Sequence, residues 1–337
     1  MTTVRALGPA PRPSGPSRRQ LVRGLGSVLG AVVLAGAAAP TTGCSRSAGP
    51  ALRIATGEQG GFYAEFGALL VDALERAGQP AVAVTTGGSA DNLARVCSGD
   101  VDVGLALADS VDAAAAGGTG SAEGADGRSG AAPLVALGRV YENYLQLVVL
   151  GSSPARSLAD LAGRRVSLGG SGSGASLTSA RLLAATGVVV DPLNLPLVEA
   201  VAALDAGGVD AVLWSGGVPT PAVAPLRGRI RLLPLADGLS ALRRDHGDVY
   251  RAATVRAGAY GDQGPVATVG VANLLVARRA LPDGAAARVA EVLVLDRDRL
   301  VPSAALGAQY LDPQSVVEVG PVELHPGAVA AYRRLHG

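Results

Sequence analysis

Two stretches of the chain carry the residue types that bind small anions. The first is Leu52-Arg53-Ile54-Ala55-Thr56-Gly57-Glu58-Gln59-Gly60-Gly61-Phe62-Tyr63, and the second is Arg165-Val166-Ser167-Leu168-Gly169-Gly170-Ser171-Gly172-Ser173-Gly174-Ala175-Ser176. In each, a short apolar strand pattern runs into a Gly-rich turn, and a helical pattern opens behind it. A turn without Cβ atoms lets a ligand approach the backbone closely. The helix start presents N–H groups with no intrahelical acceptor and a partial positive charge. That pairing suits carboxylates and phosphates. Gly60, Gly61, Gly172, Ser173 and Gly174 are therefore the candidate backbone contacts. Phe62 and Tyr63, at the first helix mouth, are candidates to wall a site.

The two stretches must be held facing each other, and the chain repeats itself in a way that would do so. Ser98-Gly99-Asp100-Val101-Asp102-Val103-Gly104 follows the first turn, and Ala206-Gly207-Gly208-Val209-Asp210-Ala211-Val212-Leu213-Trp214 follows the second. Both read as a helix end, a Gly, and a buried strand, about 40 residues after the turn, the scale of an elaborated βαβ unit. Two such halves predict two lobes across a cleft. Trp214, the single Trp, ends a strand at the edge where α/β proteins bind ligands. It is a candidate wall, and Gly216 and Gly217 would admit the backbone behind it. Asp109 follows a buried strand and is a candidate reader of an ammonium or hydroxyl.

Composition narrows the function classes. Net charge is +1 and every basic side chain other than His is Arg, with no basic stripe, so nucleic acid is a poor partner. Only Cys44 and Cys97 exist, which excludes a cysteine metal site; Cys97, in an Ala/Val/Leu-rich helical stretch, reads as a buried structural thiol. There is no Gly-x-Ser-x-Gly elbow and no phosphate-loop Gly-Lys-Ser/Thr, and the three His lack metal spacing. The inventory predicts no enzyme, no cofactor and no metal.

The N-terminus reads as an export signal. Ser17-Arg18-Arg19-Gln20-Leu21 is a twin-arginine pattern, followed by an apolar run from Val28 to Ala39 and then Thr41-Thr42-Gly43-Cys44. The run has signal-peptide length, and Gly-Cys behind it resembles a lipobox with Cys44 as the lipidated residue. The expected division is a signal peptide 1–44, a tether 45–50, a first lobe 51–140 with a disordered Gly/Ser/Ala insertion at 117–131, a second lobe 141–255, and a return to the first lobe over 256–337. Within it, helices are expected from Phe62 to Ala77, from about Ser89, where Ser89 or Asp91 can cap, and from Pro282 to about Leu300. Strands are expected at 134–140 and 144–150, separated by Tyr141-Glu142-Asn143, and at 266–276. Alternating strands and helices argue an α/β fold.

The ordered set of these motifs resembles the TAXI solute receptors of TRAP transporters. The carrying residues are Ile54-Ala55-Thr56-Gly57 with Gly60-Gly61-Phe62-Tyr63, then Thr86-Gly87-Gly88-Ser89-Ala90-Asp91-Asn92-Leu93. Ser98 to Gly104, Ser157 to Val166, Gly172-Ser173-Gly174 and His325-Pro326-Gly327-Ala328 complete it, over about residues 52–330. The resemblance implies a two-lobe type II periplasmic-binding-protein fold with the ligand cleft between the lobes. It implies capture of glutamate, glutamine or a related small carboxylate and delivery to a TRAP membrane permease. It gives Ser89 and Asn92 a ligand role and places an aromatic, Tyr141, at the hinge. The family's Gly-Ser-Gly-Thr is Gly172-Ser173-Gly174-Ala175 here, with Ser176 able to supply the missing hydroxyl. Glu58-Gln59 and Leu107 also depart from the family pattern. The expectation is a monomeric lipoprotein on the outer face of the cytoplasmic membrane; a ligand-sensing lipoprotein serving a sensor kinase, or an exported enzyme, are the alternatives.

Overall fold

The computed structural model describes residues 50–116, 134–302, 311 and 314–336. The twin arginines, Cys44 and the 117–131 insertion lie outside the described residues. Two compact units divide the chain, Met1–Arg46 and Ser47–Gly337, and the described residues all belong to the second.

The chain opens with β1 (Leu52–Ala55), α1 (Phe62–Arg76), β2 (Ala81–Val84), α2 (Ser89–Ser98), β3 (Val103–Leu107) and α3 (Ala108–Ala116). Phe62, Phe66, Leu70, Ala73 and Leu74 recur at helical spacing on one buried face of α1, and Gly78 ends it at φ +79°. All five residues of β3 are buried, the unbroken apolar run of a strand covered on both faces. The chain continues through β4 (Leu134–Leu150), β5 (Arg165–Ser167), α4 (Gly174–Thr186), β6 (Asp191–Leu193), α5 (Leu197–Asp205), β7 (Ala211–Gly216), β8 (Ile230–Leu233), α6 (Leu239–His246) and β9 (Tyr250–Val255). It closes with β10 (Val266–Arg278), α7 (Asp283–Leu295) and α8 (Pro326–His336).

The strands form one sheet in the order β2-β1-β3-β10-β4-β7-β5-β6, with β8 on β4 and β9 on β10. It has two parallel wings. In one, β1 pairs with β2 and β3; in the other, β5 pairs with β6 and β7. The repeated Val-Asp motif does the same job in each wing. Asp102 Oδ2 accepts from the Arg53 N–H (2.8 Å) and Asp210 Oδ2 from the Arg165 N–H (3.0 Å). Each Asp N–H donates back to the carbonyl of the same residue. The echo thus fixes the start of β1, at Arg53, to that of β3, and the start of β5, at Arg165, to that of β7.

β4 and β10 are the long antiparallel strands that join the wings. The first half of β4 lies beside β10 and its second half beside β7; β10 pairs first with β9 and then with β3. The expected break at Tyr141-Glu142-Asn143 is absent, because Glu142 and Asn143 find polar partners within the sheet. Asn143 Nδ2 donates to the Ser215 carbonyl, Asn273 Nδ2 donates to Asn143 Oδ1 (2.9 Å), and Glu142 pairs with Arg139. A register shift between Ala272 and Leu274 makes room for Asn273. One core cluster lies under β1, α1, α7 and α8, another under α5, β7 and β8, and a third, containing Leu107, Val166, Leu182 and Tyr250, is shared.

Other expectations need correction. The helix from Pro282 stops at Leu295, and a separate 3-10 turn covers Arg297–Arg299. β7 runs past Trp214, its expected end, through Ser215 to Gly216. β6 and β9 had no strand signal, since Pro192 and the exposed Arg251 obscure the alternation. Cys97 is only half-buried.

Candidate functional site

Three helix N-termini converge between the wings. α1 begins at Phe62 behind Gly61, α2 at Ser89 behind Gly88, and α4 at Gly174 behind Ser173. Around them is a small cavity lined by Gly57, Glu58, Gly61, Phe62, Tyr63, Gly87, Gly88, Ser89, Leu107, Asn143, Ser173, Gly174, Ala175, Trp214, Ser215 and Gly216. Its volume is about 40 Å³. One water needs about 10–15 Å³ on the same measure, so this conformation holds a few solvent-sized atoms.

The cavity is small because the wings are closed on each other. The Ala90 N–H of α2 donates to the Gly172 carbonyl (3.1 Å), and the Ala222 N–H donates to the Gly60 carbonyl (3.3 Å). Leu197 N–H, at the start of α5, donates to Glu58 Oε2 (2.9 Å). Gly174 lets α4 come against the other wing: a Cβ there would lie 2.5 Å from Ser89 Oγ and 2.7 Å from Leu107 Cδ1.

The polar groups of the lining divide into satisfied and unsatisfied ones. Ser173 Oγ accepts from Ser176 N–H, so Ser176 is engaged through its backbone in capping α4. Ser89 Oγ accepts from Leu107 N–H (3.1 Å) and lies 3.4 Å from the Tyr63 hydroxyl, which donates to Asn273 Oδ1. Ser89 therefore does not cap α2; Asp91, the other expected cap, accepts from the Gly87 N–H. Burial pushes the Tyr63 hydroxyl well above the ordinary tyrosine range; the Ser89 contact opposes this and the Asp109 charge adds to it. By contrast, Trp214 Nε1 and Ser215 Oγ are buried with no hydrogen-bond partner among the described residues. An unpaired buried donor costs about 1–3 kcal/mol. Both residues belong to the cavity lining, and as neighbours on β7 they direct their side chains to opposite faces of the strand.

Electrostatically the site is unusual for an anion site, since none of its lining residues is Arg, Lys or His. Positive potential comes from the helix starts alone. The one carboxylate in the lining is Glu58. Burial pushes its carboxyl above the ordinary range; the Leu197 N–H opposes this and Glu199 adds to it.

Nine expected site residues line the cavity: Gly61, Phe62, Tyr63, Ser89, Ser173, Gly174, Ala175, Trp214 and Gly216. Six lie elsewhere. Gly60 and Gly172 make the bonds between the wings described above. Gly217 packs on the Phe62 ring, where any Cβ would overlap it. Asn92 is fully buried below the site, donating to the Thr56 and Leu105 carbonyls and accepting from Thr86. Asp109 is fully buried too, accepting from Thr178 (2.6 Å) and Tyr250 (3.0 Å), and burial raises its pKa despite those bonds. Tyr141 packs against Phe62 and Phe66 with ring centroids 5.1 Å away in each case. Lining residues outside the expected set are Gly57, Glu58, Gly87, Gly88, Leu107, Asn143 and Ser215. Glu58 and Leu107 had been marked only as departures from the family pattern. Ser215 adjoins Trp214, which is the signal that could have found it.

The fold has counterparts among solved structures. MatC from Rhodopseudomonas palustris, solved with bound malate, matches with a TM-score of 0.55 at 18% identity, over 84% of this chain and 97% of that one. The periplasmic aliphatic sulphonate binding protein SsuA from Escherichia coli matches at TM-score 0.43 and 19% identity, over 84% and 78%. The GluR0 ligand-binding core from Nostoc punctiforme, in complex with L-glutamate, matches at TM-score 0.45 and 16% identity, over 75% and 96%. The fold is that of the type II periplasmic binding proteins. The sequence profile of the NMT1-like family matches residues 54–334. This chain therefore belongs to the NMT1-like family, a family of periplasmic solute-binding proteins that serve transport.

Proposed function

We propose that this protein is the extracytoplasmic receptor of a TRAP-type, ion-driven transporter, capturing glutamate, glutamine or a related small carboxylate. The observation that carries the proposal is the cavity itself. Three helix N-termini, an unpaired indole N–H and an unpaired hydroxyl converge on it. The two sheet wings act as lobes with boundaries near 51–140, 141–255 and 256–337. Ligand enters between them, its carboxylate takes the helix-start N–H groups, and rigid-body closure buries it. The closed form then docks on the permease. The TAXI resemblance over about residues 52–330 supports the TRAP assignment. The twin-arginine pattern and Cys44 support export and lipid anchoring at the outer face of the cytoplasmic membrane.

A thermal-shift screen against glutamate, glutamine, 2-oxoglutarate and other small carboxylates tests the reading. Ligand at a hundred times its Kd stabilises by about 2.7 kcal/mol, several degrees for a chain of this size. Trp214→Phe removes the unpaired N–H together with part of the buried ring, so the ligand-induced shift, taken relative to the variant's own unliganded melting temperature, should shrink. No shift with any carboxylate would refute the proposal.

A further inference from the structure

A relay of hydrogen-bonded side chains joins the cavity lining of one wing to that of the other. It runs from Ser89 at the start of α2 through Tyr63 in α1, Asn273 in β10 and Asn143 in β4, and ends on the Ser215 carbonyl of β7. Ser89, Tyr63, Asn143 and Ser215 line the cavity; Asn273 is fully buried and does not. We propose that Asn273 is a positioning residue for ligand binding: without touching the ligand, it fixes the direction in which Ser89, Tyr63 and Asn143 donate their hydrogen bonds. The inference rests on the receptor reading above and adds to it a residue outside the cavity.

One backbone carbonyl sets the order. β10 shifts register against β4 between Ala272 and Leu274, which pair with Glu142 and Arg139. Such a shift re-aims a side chain, and here the Asn273 amide meets the Tyr141 carbonyl (3.2 Å). A carbonyl only accepts, so the amide atom facing it is Nδ2, and the other is the acceptor Oδ1. Nδ2 also donates to Asn143 Oδ1 (2.9 Å), which leaves Asn143 Nδ2 to donate to the Ser215 carbonyl (3.2 Å). Oδ1 can only accept, so the single Tyr63 hydroxyl proton is committed to it. The Tyr63 oxygen is then an acceptor for Ser89 Oγ, 3.4 Å away, whose own oxygen already accepts from the Leu107 N–H. Each direction follows from the one before, starting at the Tyr141 carbonyl. Without the Asn273 amide the Tyr63 hydroxyl loses its acceptor and can turn its proton toward Ser89. Ser89 then receives a hydrogen bond where it had given one, and the polarity of the cavity wall changes although no lining residue has been replaced.

A double-variant cycle separates this role from packing. L-glutamate, L-glutamine and 2-oxoglutarate are titrated calorimetrically into the full chain and into Asn273→Leu, Tyr63→Phe and the two combined. Asn273→Leu should weaken whichever of the three binds by about five- to tenfold, the size of one misdirected hydrogen bond. In the Tyr63→Phe background there is no hydroxyl to direct, and the same change should weaken binding by less than about twofold. An undiminished loss in that background, or no loss in Asn273→Leu, overturns the proposal and leaves the carboxylate receptor standing. The natural protein supplies a measurement that needs no variant at position 273 to fold. The hydroxyl proton resonance that disappears in Tyr63→Phe should exchange slowly with solvent and show a cross-peak to the Asn273 side-chain amide; absence of either overturns the proposal. If none of the three compounds binds, the receptor reading falls, and the role of Asn273 in ligand binding falls with it.

Discussion

Replacing Gly174 with Ala separates closure from folding. Gly174 is the first residue of α4, and its backbone does not occupy the left-handed region, so Ala suits the position conformationally. Gly is about 1 kcal/mol worse than Ala inside a helix and less so at its start, so an open form of the protein loses nothing by the change. The closed form does. The new Cβ would stand 2.5 Å from Ser89 Oγ and 2.7 Å from Leu107 Cδ1. Both neighbours belong to the other wing, on α2 and β3, and both are buried. Ser89 Oγ is further tied to the Leu107 N–H, so it cannot swing away without breaking that bond. Over-filling a packed site costs about 1–3 kcal/mol. At 1.4 kcal/mol per tenfold that weakens ligand binding about 5- to 150-fold. The assay is calorimetric titration of the best carboxylate from the thermal screen, with small-angle scattering of the unliganded protein to register a larger radius of gyration. Gly284→Ala is the control, since a Cβ there meets nothing within 4 Å. Unchanged affinity and an unchanged scattering curve in Gly174→Ala, in a protein that melts normally, would refute the close-approach argument and with it the closure mechanism.

Two further outcomes follow from groups outside the cavity. Asp109 has its proton affinity raised by burial, so its stabilising contribution is complete below the ordinary carboxylate pKa of about 4 and is lost as pH rises through the elevated folded value. The melting temperature should therefore fall from pH 5 to pH 8 less steeply in Asp109→Asn than in the natural protein; parallel curves would contradict this. Glu58 and Glu142 act in the same direction, which is why the difference between the two proteins is the measurement. Asp102→Ala and Asp210→Ala each remove a carboxylate that accepts a strand-end N–H, and each should cost about 1–2 kcal/mol in denaturant unfolding. A variant of either that unfolds like the parent would show that the repeated motif does not stabilise the strand pairing within its wing.

How far the sequence could be read depended on the range over which each residue finds its partners. The Gly turns, the helix starts and the Val-Asp echo are local patterns, and they led to the correct fold and to nine of the lining residues. Polar residues near those turns were harder to assign. Asn92, Asp109 and Tyr141 look from the sequence like groups awaiting a ligand. Asp109, however, meets Thr178 and Tyr250, 69 and 141 positions away, and Tyr141 packs on α1. Asn143 resembled a turn residue for the same reason, since Asn273, its partner, lies 130 positions on. Glu58 shows the opposite case. In sequence it is one carboxylate in a turn, and only the arrival of Leu197, 139 positions away, ties it to the second wing. The partners of Asp109 and Glu58 thus come from sequence positions no local pattern reaches. Trp214 Nε1 and Ser215 Oγ, in the cavity lining, have no partner among the described residues, and the proposed receptor function assigns that partner to the ligand.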